Sequence, residues 1–329
     1  SSRTSVYDAA RERDLVTELA AANSGPFPNS ALPHVFREII SATRSLEARL
    51  RVAFLGPEGT FSHLAARRVF GAQGDCLAVA TLPDVFAVVE RGEADHGLVP
   101  VENTTEGVVT ATLDTLIESD LPIRGESLLR ISLQLMSQSG RREDVRRVAS
   151  YPQPLAQCRG WLDRYLPGVE RVEMPSTVAA ARLAREQPDV AAVGSSLAGE
   201  LEGLLTIADS IEDRRDNTTR FLVLGGEPPP PSGNDLTYVA FTVRKSETGA
   251  LHGLLEPFAR HQVNLTSLQA RPLKGAPWEY VFIVDLDGHQ SEPRVQRALD
   301  EATRNANFCR VFGSFPRATA PVRAASGEA

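Results

Sequence analysis

Cysteine is scarce in this sequence. Cys76, Cys158 and Cys309 are the only three, widely separated and odd in number. That pattern excludes a disulfide framework and a paired-ligand zinc site, and it predicts a reducing, cytoplasmic setting. Long apolar runs are missing too: nothing approaches the roughly 20 residues that span a bilayer, so no membrane partner is expected. The 35 Lys and Arg residues are scattered and outnumbered by 42 Asp and Glu, for a formal net charge of −7. No continuous basic surface can be read that would neutralise a phosphate backbone, which excludes nucleic acid as the expected partner. Ser1-Ser2-Arg3-Thr4 shows no basic region followed by an apolar stretch, the pattern of an export signal. Repeats of the solenoid type are absent.

What is present is a 329-residue chain with 42% hydrophobic and 23% charged residues, long enough for more than one buried core. Two helices are predicted over 8–22 and about 29–50, broken by Asn23-Ser24-Gly25-Pro26-Phe27-Pro28. In the second, Leu32, Val35, Phe36, Ile39, Ile40, Thr43 and Leu46 recur at three- and four-residue spacing and form a stripe that needs a partner. From Arg51 the texture changes to short apolar strands alternating with helices, the pattern of an open α/β sheet. Strands are predicted at 52–55, 97–100, 128–136, 147–150, 191–194 and 220–224. Four prolines at 228–231 then mark a stiff connector. Beyond it, 237–315 reads as strand, helix, two strands, helix and strand, the ferredoxin-like βαββαβ plan. The expected division is therefore a hairpin over 1–50, an α/β unit over 51–226, a linker over 227–236, an α+β unit over 237–317 and a disordered tail over 318–329.

Three segments carry candidate chemistry. Gly56-Pro57-Glu58-Gly59-Thr60-Phe61-Ser62-His63 lies where a strand gives way to a helix, either a plain turn or an anion site built on helix amides. Pro100-Val101-Glu102-Asn103-Thr104-Thr105-Glu106-Gly107 follows a strand, with Thr104 or Thr105 as a helix cap or as part of a cleft wall. Asn217-Thr218-Thr219-Arg220-Phe221 leads into an apolar strand. There Arg220 reads as a surface ion pair or as a fork for a carboxylate.

In this order the three segments resemble the prephenate dehydratase family, together with Pro152 to Cys158 and Ser176-Thr177-Val178-Ala179-Ala180. The resemblance runs from about Arg51 to Arg317. It implies a two-lobed α/β domain like a type II periplasmic binding protein, with prephenate held between the lobes and no metal or organic cofactor. It further implies that Thr219 is the catalytic donor to the departing ring hydroxyl. Arg220 is expected to bind the side-chain carboxylate, and Asn103, Thr104, Ser176, Thr177, Gly59, Thr60 and Phe221 to line the substrate site. Glu102 or a water is the expected proton relay. Two departures stand out: Tyr151 where the family usually shows His, and Thr104 where Ser is common.

The C-terminal unit resembles an ACT domain, which implies pairing across subunits in a homodimer or homotetramer and binding of phenylalanine as an allosteric effector. The matching positions are Gly249, Ala250 and Leu251, then Asn264 and Leu265, then Gln269, Arg271 and Pro272. Gln269-Ala270 replaces the usual Glu-Ser. The N-terminal hairpin resembles the last two helices of an all-helical chorismate mutase, which implies a vestigial site at Asp8, Arg11, Glu12, Thr43 and Glu47. Without the long first helix of that fold, no mutase activity is expected. Alternatives are an arogenate dehydratase, in which an amino group replaces the substrate's keto oxygen, and a non-catalytic ligand sensor.

Overall fold

The computed structural model describes residues 9–29, 31–47, 50–243, 248–273 and 280–318. Asp8 and the tail expected to be disordered lie outside that set, apart from Ala318. Helices α1 (Ala9–Ala22) and α2 (Leu32–Glu47) form the expected hairpin. Its second helix starts three residues later than predicted, because Ala31 N donates to Pro28 O and holds the chain in a turn there. The hairpin rests on the next unit through α2: Ser41 Oγ donates to Phe70 O at 3.1 Å and Glu38 accepts from the Ala72 amide at 3.3 Å.

The chain then builds β1 (Arg51–Leu55), α3 (Phe61–Phe70), β2 (Asp75–Val79), α4 (Leu82–Glu90), β3 (His96–Asn103), β4 (Gly107–Val108), α5 (Thr110–Glu118) and β5 (Ile123–Arg130). It crosses through 131–133 into a second lobe of β6 (Gln134–Ser137), β7 (Arg147–Ser150), α6 (Pro152–Gln157), α7 (Arg159–Tyr165), β8 (Glu170–Glu173), α8 (Thr177–Glu186), β9 (Val190–Gly194), α9 (Ser196–Glu202) and β10 (Leu205–Ala208). Through 209–217 it returns as β11 (Thr218–Leu224). The strand orders are β2-β1-β3-β11-β5, with β4 hairpinned onto β3, and β10-β6-β9-β7-β8. The single strand predicted at 128–136 is thus two strands in different sheets. Strands β2, β8 and β10 were not predicted, since their mixed burial gives no clean apolar alternation.

The connector passes into β12 (Asp235–Val243), α10 (Ala250–Arg260), β13 (Leu265–Pro272), β14 (Tyr280–Asp287), α11 (Pro293–Asn305) and β15 (Ala306–Pro316), with strand order β13-β14-β12-β15. One face of this sheet carries α10 and α11 over a core of Val239, Phe241, Phe258 and Leu299. Its other face, with Tyr238, Ile283, Phe312 and Phe315, shares a core with Val99, Leu113, Leu222 and Leu224 of the first lobe. The first-lobe sheet is therefore covered by α3 on one side and by α4, α5 and the C-terminal sheet on the other.

Candidate active site

Strands β1 and β3 run parallel and β11 runs antiparallel to β3, so Gly56–Thr60, Asn103 and the start of β11 gather at one edge of the first-lobe sheet. The C-terminal ends of the parallel strands β7, β8 and β9 lead to Tyr151, Ser176 and Ser195 in the second lobe. Open sheets bind ligands at such strand ends. The two sets meet at Gly59. Ser195 Oγ, fully buried, donates to Gly59 O at 2.6 Å across the lobes, and a side chain at Gly59 would press on Ala198 and Val178 at 3.3 Å.

Thr219 and Asn103 are cross-strand partners on β11 and β3. Asn103 Oδ1 accepts from the Thr105 and Glu106 amides at 2.9 and 3.0 Å, which fixes its amide end. Its Nδ2 therefore donates to Thr219 Oγ1 and to Asn217 Oδ1, both at 2.8 Å. Thr219 Oγ1 is an acceptor in that bond, and among the described residues nothing accepts its proton. A register shift between Arg220 and Phe221 makes this alignment: Arg220 pairs with Glu102 and Phe221 with Pro100, which leaves Val101 as the extra residue.

Several expected roles are corrected. Arg220 leaves the face opposite Thr219, as neighbours on a strand must. Its Nε donates to Glu126 at 2.7 Å and its two Nη to Asp285 at 2.6 and 3.0 Å, so two protein carboxylates occupy the fork expected for substrate. Glu102 pairs with Arg220 and shares its face, on the opposite side of the sheet from Thr219. Phe221 is 1% exposed in the core with Phe54 and Leu98, and does not line the cleft. Thr104 caps no helix: α5 begins at Thr110 after Val109. The Thr104 hydroxyl donates to Asp216 O at 3.1 Å and accepts from the Thr218 amide at 3.0 Å, so it clamps the returning crossover.

Thr60 is the N-cap of α3; its hydroxyl accepts from the His63 amide and donates to Pro57 O at 2.9 Å. Ser176 likewise caps α8 by accepting from Ala179 N at 3.0 Å. Thr177 opens that helix, half-buried, and among the described residues no protein group bonds its hydroxyl. The Gly59 amide donates to His63 Nδ1 at 3.0 Å, and the His63 ring stacks on Phe54 at 4.7 Å. Burial lowers the His63 pKa, which keeps the imidazole neutral and able to accept. Burial also raises the Glu106 carboxyl, which accepts from Gln157 Nε2 of the second lobe at 3.4 Å. Asn217 and Ser195 were not singled out by sequence. The motif around Asn217 and the strand-end serine before α9 were the legible signals.

The expected regulatory residues divide between two ends of the C-terminal sheet. Gly249, with φ +80, caps α10 ahead of Ala250 and Leu251, at the end where β13 finishes with Gln269, Arg271 and Pro272. Asn264 and Leu265 stand at the opposite end, where Asn264 Nδ2 donates to Asp287 at 3.0 Å. One chain does not bring the two groups together. Arg271 is bound to Asp114 of α5 at 2.9 Å. In the hairpin, Arg11 is exposed and the Thr43 hydroxyl donates to Ile39 O at 2.9 Å; the Glu12 and Glu47 side chains lie outside the described residues.

Two α/β lobes with polar strand-end turns, joined to a ferredoxin-like βαββαβ unit, make up the architecture of a small-molecule-binding α/β protein with a separate C-terminal α+β module. The prephenate dehydratase family model matches residues 52–229 and the ACT domain model residues 237–303. The chain belongs to the prephenate dehydratase family and carries an ACT domain. It is 45% identical over 312 residues to the bifunctional chorismate mutase/prephenate dehydratase of Aquifex aeolicus, covering 94% of this chain and 86% of that protein. Among solved structures it resembles prephenate dehydratase from Arthrobacter aurescens in complex with L-Phe, at 35% identity and TM-score 0.74, over 82% of this chain and 90% of that one. It is equally similar in fold to GqqA, described as a novel type of quorum quenching acylase, at 32% identity and TM-score 0.74, over 81% and 97% of the two chains.

Proposed function

We propose that the interlobe cleft converts prephenate to phenylpyruvate, with Thr219 as hydrogen-bond donor to the departing hydroxyl and Asn103 as the group that aims it. The observation that carries this reading is the 2.8 Å bond from Asn103 Nδ2 to Thr219 Oγ1. An amide donor on the threonine oxygen leaves its proton for another acceptor. Departure of hydroxide from the ring carbon and of carbon dioxide from the quaternary carbon yields an aromatic ring, so orientation and one donor supply what the step needs. An amide also cannot take a proton from Thr219, which argues against an activated acyl-transfer nucleophile at this position.

The ACT domain is read as the phenylalanine sensor, with the ligand site completed by a second copy that brings Asn264 and Leu265 to Gly249 and Gln269. The hairpin α1–α2 is read as a docking element, because Leu15, Val35 and Ile39 stay exposed on it. Incubation of the chain with prephenate, with and without phenylalanine, tests the reading. Phenylpyruvate formation suppressed by phenylalanine is expected. A folded chain that leaves prephenate intact but consumes arogenate would replace the substrate and keep the site.

A further inference from the structure

Arg220 stands between the strand that carries Thr219 and the sheet of the ACT domain. Its Nε, Nη1 and Nη2 each hold a carboxylate oxygen, from Glu126 on β5 and from Asp285 on β14. The three side chains are 14%, 4% and 3% exposed. The guanidinium lies 5.6 Å from the ring centre of Tyr238 on β12, and Glu102 is its cross-strand neighbour. Burial opposes the charge on Arg220, but the hydrogen bond and charge of Asp285, followed by the charge of Glu126, outweigh it and hold the group protonated. A buried fork gripped bidentately has one good geometry, so displacing Asp285 displaces Arg220. Arg220 shares a peptide bond with Thr219, and their side chains leave opposite faces of β11. The same interface is tightened by Gly313, where an added Cβ would stand 2.0 Å from Ile123 O, and by the Arg271–Asp114 pair.

We propose that Arg220 is a positioning residue, and that the ACT domain acts on turnover by setting Thr219 through Asp285 and Arg220. The regulatory half of this statement rests on the phenylalanine reading above; the positioning half does not. Substrate carboxylate is bound elsewhere in the cleft, and the site senses the ACT sheet from behind.

The experiment uses the full chain with Asp285→Asn and Arg220→Lys, checked for folding by circular dichroism and thermal melting. Prephenate kinetics are measured with and without phenylalanine, and phenylalanine binding by calorimetry. Asp285→Asn is expected to lower kcat about 10- to 100-fold with KM within about twofold, because misplacement of a catalytic group reads out in kcat. It is also expected to bind phenylalanine while its remaining turnover no longer responds. Arg220→Lys behaves alike, since an ammonium cannot hold both carboxylates as a planar fork. Wild-type kcat and inhibition in Asp285→Asn would overturn the proposal, as would Arg220→Lys that raises KM at constant kcat, the signature of a substrate ligand. If Asp285→Asn does not fold, Glu126→Gln is read by the same criteria. A wild-type chain that neither binds nor responds to phenylalanine removes the regulatory half, and the split between kcat and KM in Asp285→Asn still decides the positioning half.

Discussion

Asn103 makes four hydrogen bonds with one side chain, two to turn amides and two that fix Asn217 and Thr219. Asn103→Ala removes the acceptor for two amides and the donor for Thr219 together. It should lower kcat and cost about 1–3 kcal/mol of stability, measured by urea unfolding. His63 gives a pH dependence. Its pKa is lowered by burial from 6.5, so the fold favours the neutral ring that accepts from Gly59. That contribution is complete above pH 6.5 and is lost as pH falls through the lower, folded-state value. Buried His96, lowered to about 4, extends the loss further into acid. Chemical unfolding from pH 8 down to pH 4 should show a smaller acid loss in His63→Gln, and identical profiles would remove His63 as a cause. Thr219 was singled out through the family resemblance that its local motif carries. The partners of Arg220 were not, because Asp285 lies 65 residues away and only the docked ACT sheet brings it near.

At the level of elements, the helix-and-strand alternation predicted an open α/β sheet and the βαββαβ plan of the C-terminal unit, while the division into two lobes came from the family resemblance. The alternation missed the break at 131–133, since Ile131 and Leu133 continue the apolar pattern and are buried like strand residues. The reversal of face at Val101 was equally hidden, because a bulge is a property of pairing with a second strand. Contact between β15 and β5 depends on a residue without a side chain. Gly313→Ala places a methyl group against the Ile123 carbonyl and must separate the two sheets. A loss of about 1–3 kcal/mol is expected from overpacking, read as a lowered melting temperature. An unchanged melting temperature would mean that the interface is looser than its geometry.

Across the whole molecule, the first-lobe sheet meets the polar turns of the proposed active site at its strand ends and the ACT sheet on one flat side. Strand β11 therefore carries Thr219 toward the strand-end turns and Arg220 toward the ACT sheet. Ser195 is one point where the lobes meet, as a helix cap and as donor to Gly59 O. Ser195→Ala should raise KM for prephenate more than it lowers kcat, because it loosens closure without touching Thr219; steady-state kinetics check this. The most direct test of the central claim is the comparison of Thr219→Ala with wild type for phenylpyruvate formation, with prephenate binding followed by calorimetry. Loss of about 10²–10³-fold in kcat with binding retained is predicted, the usual size for removing one positioned donor. Wild-type turnover in Thr219→Ala would contradict the account and move the chemistry to another group in the cleft.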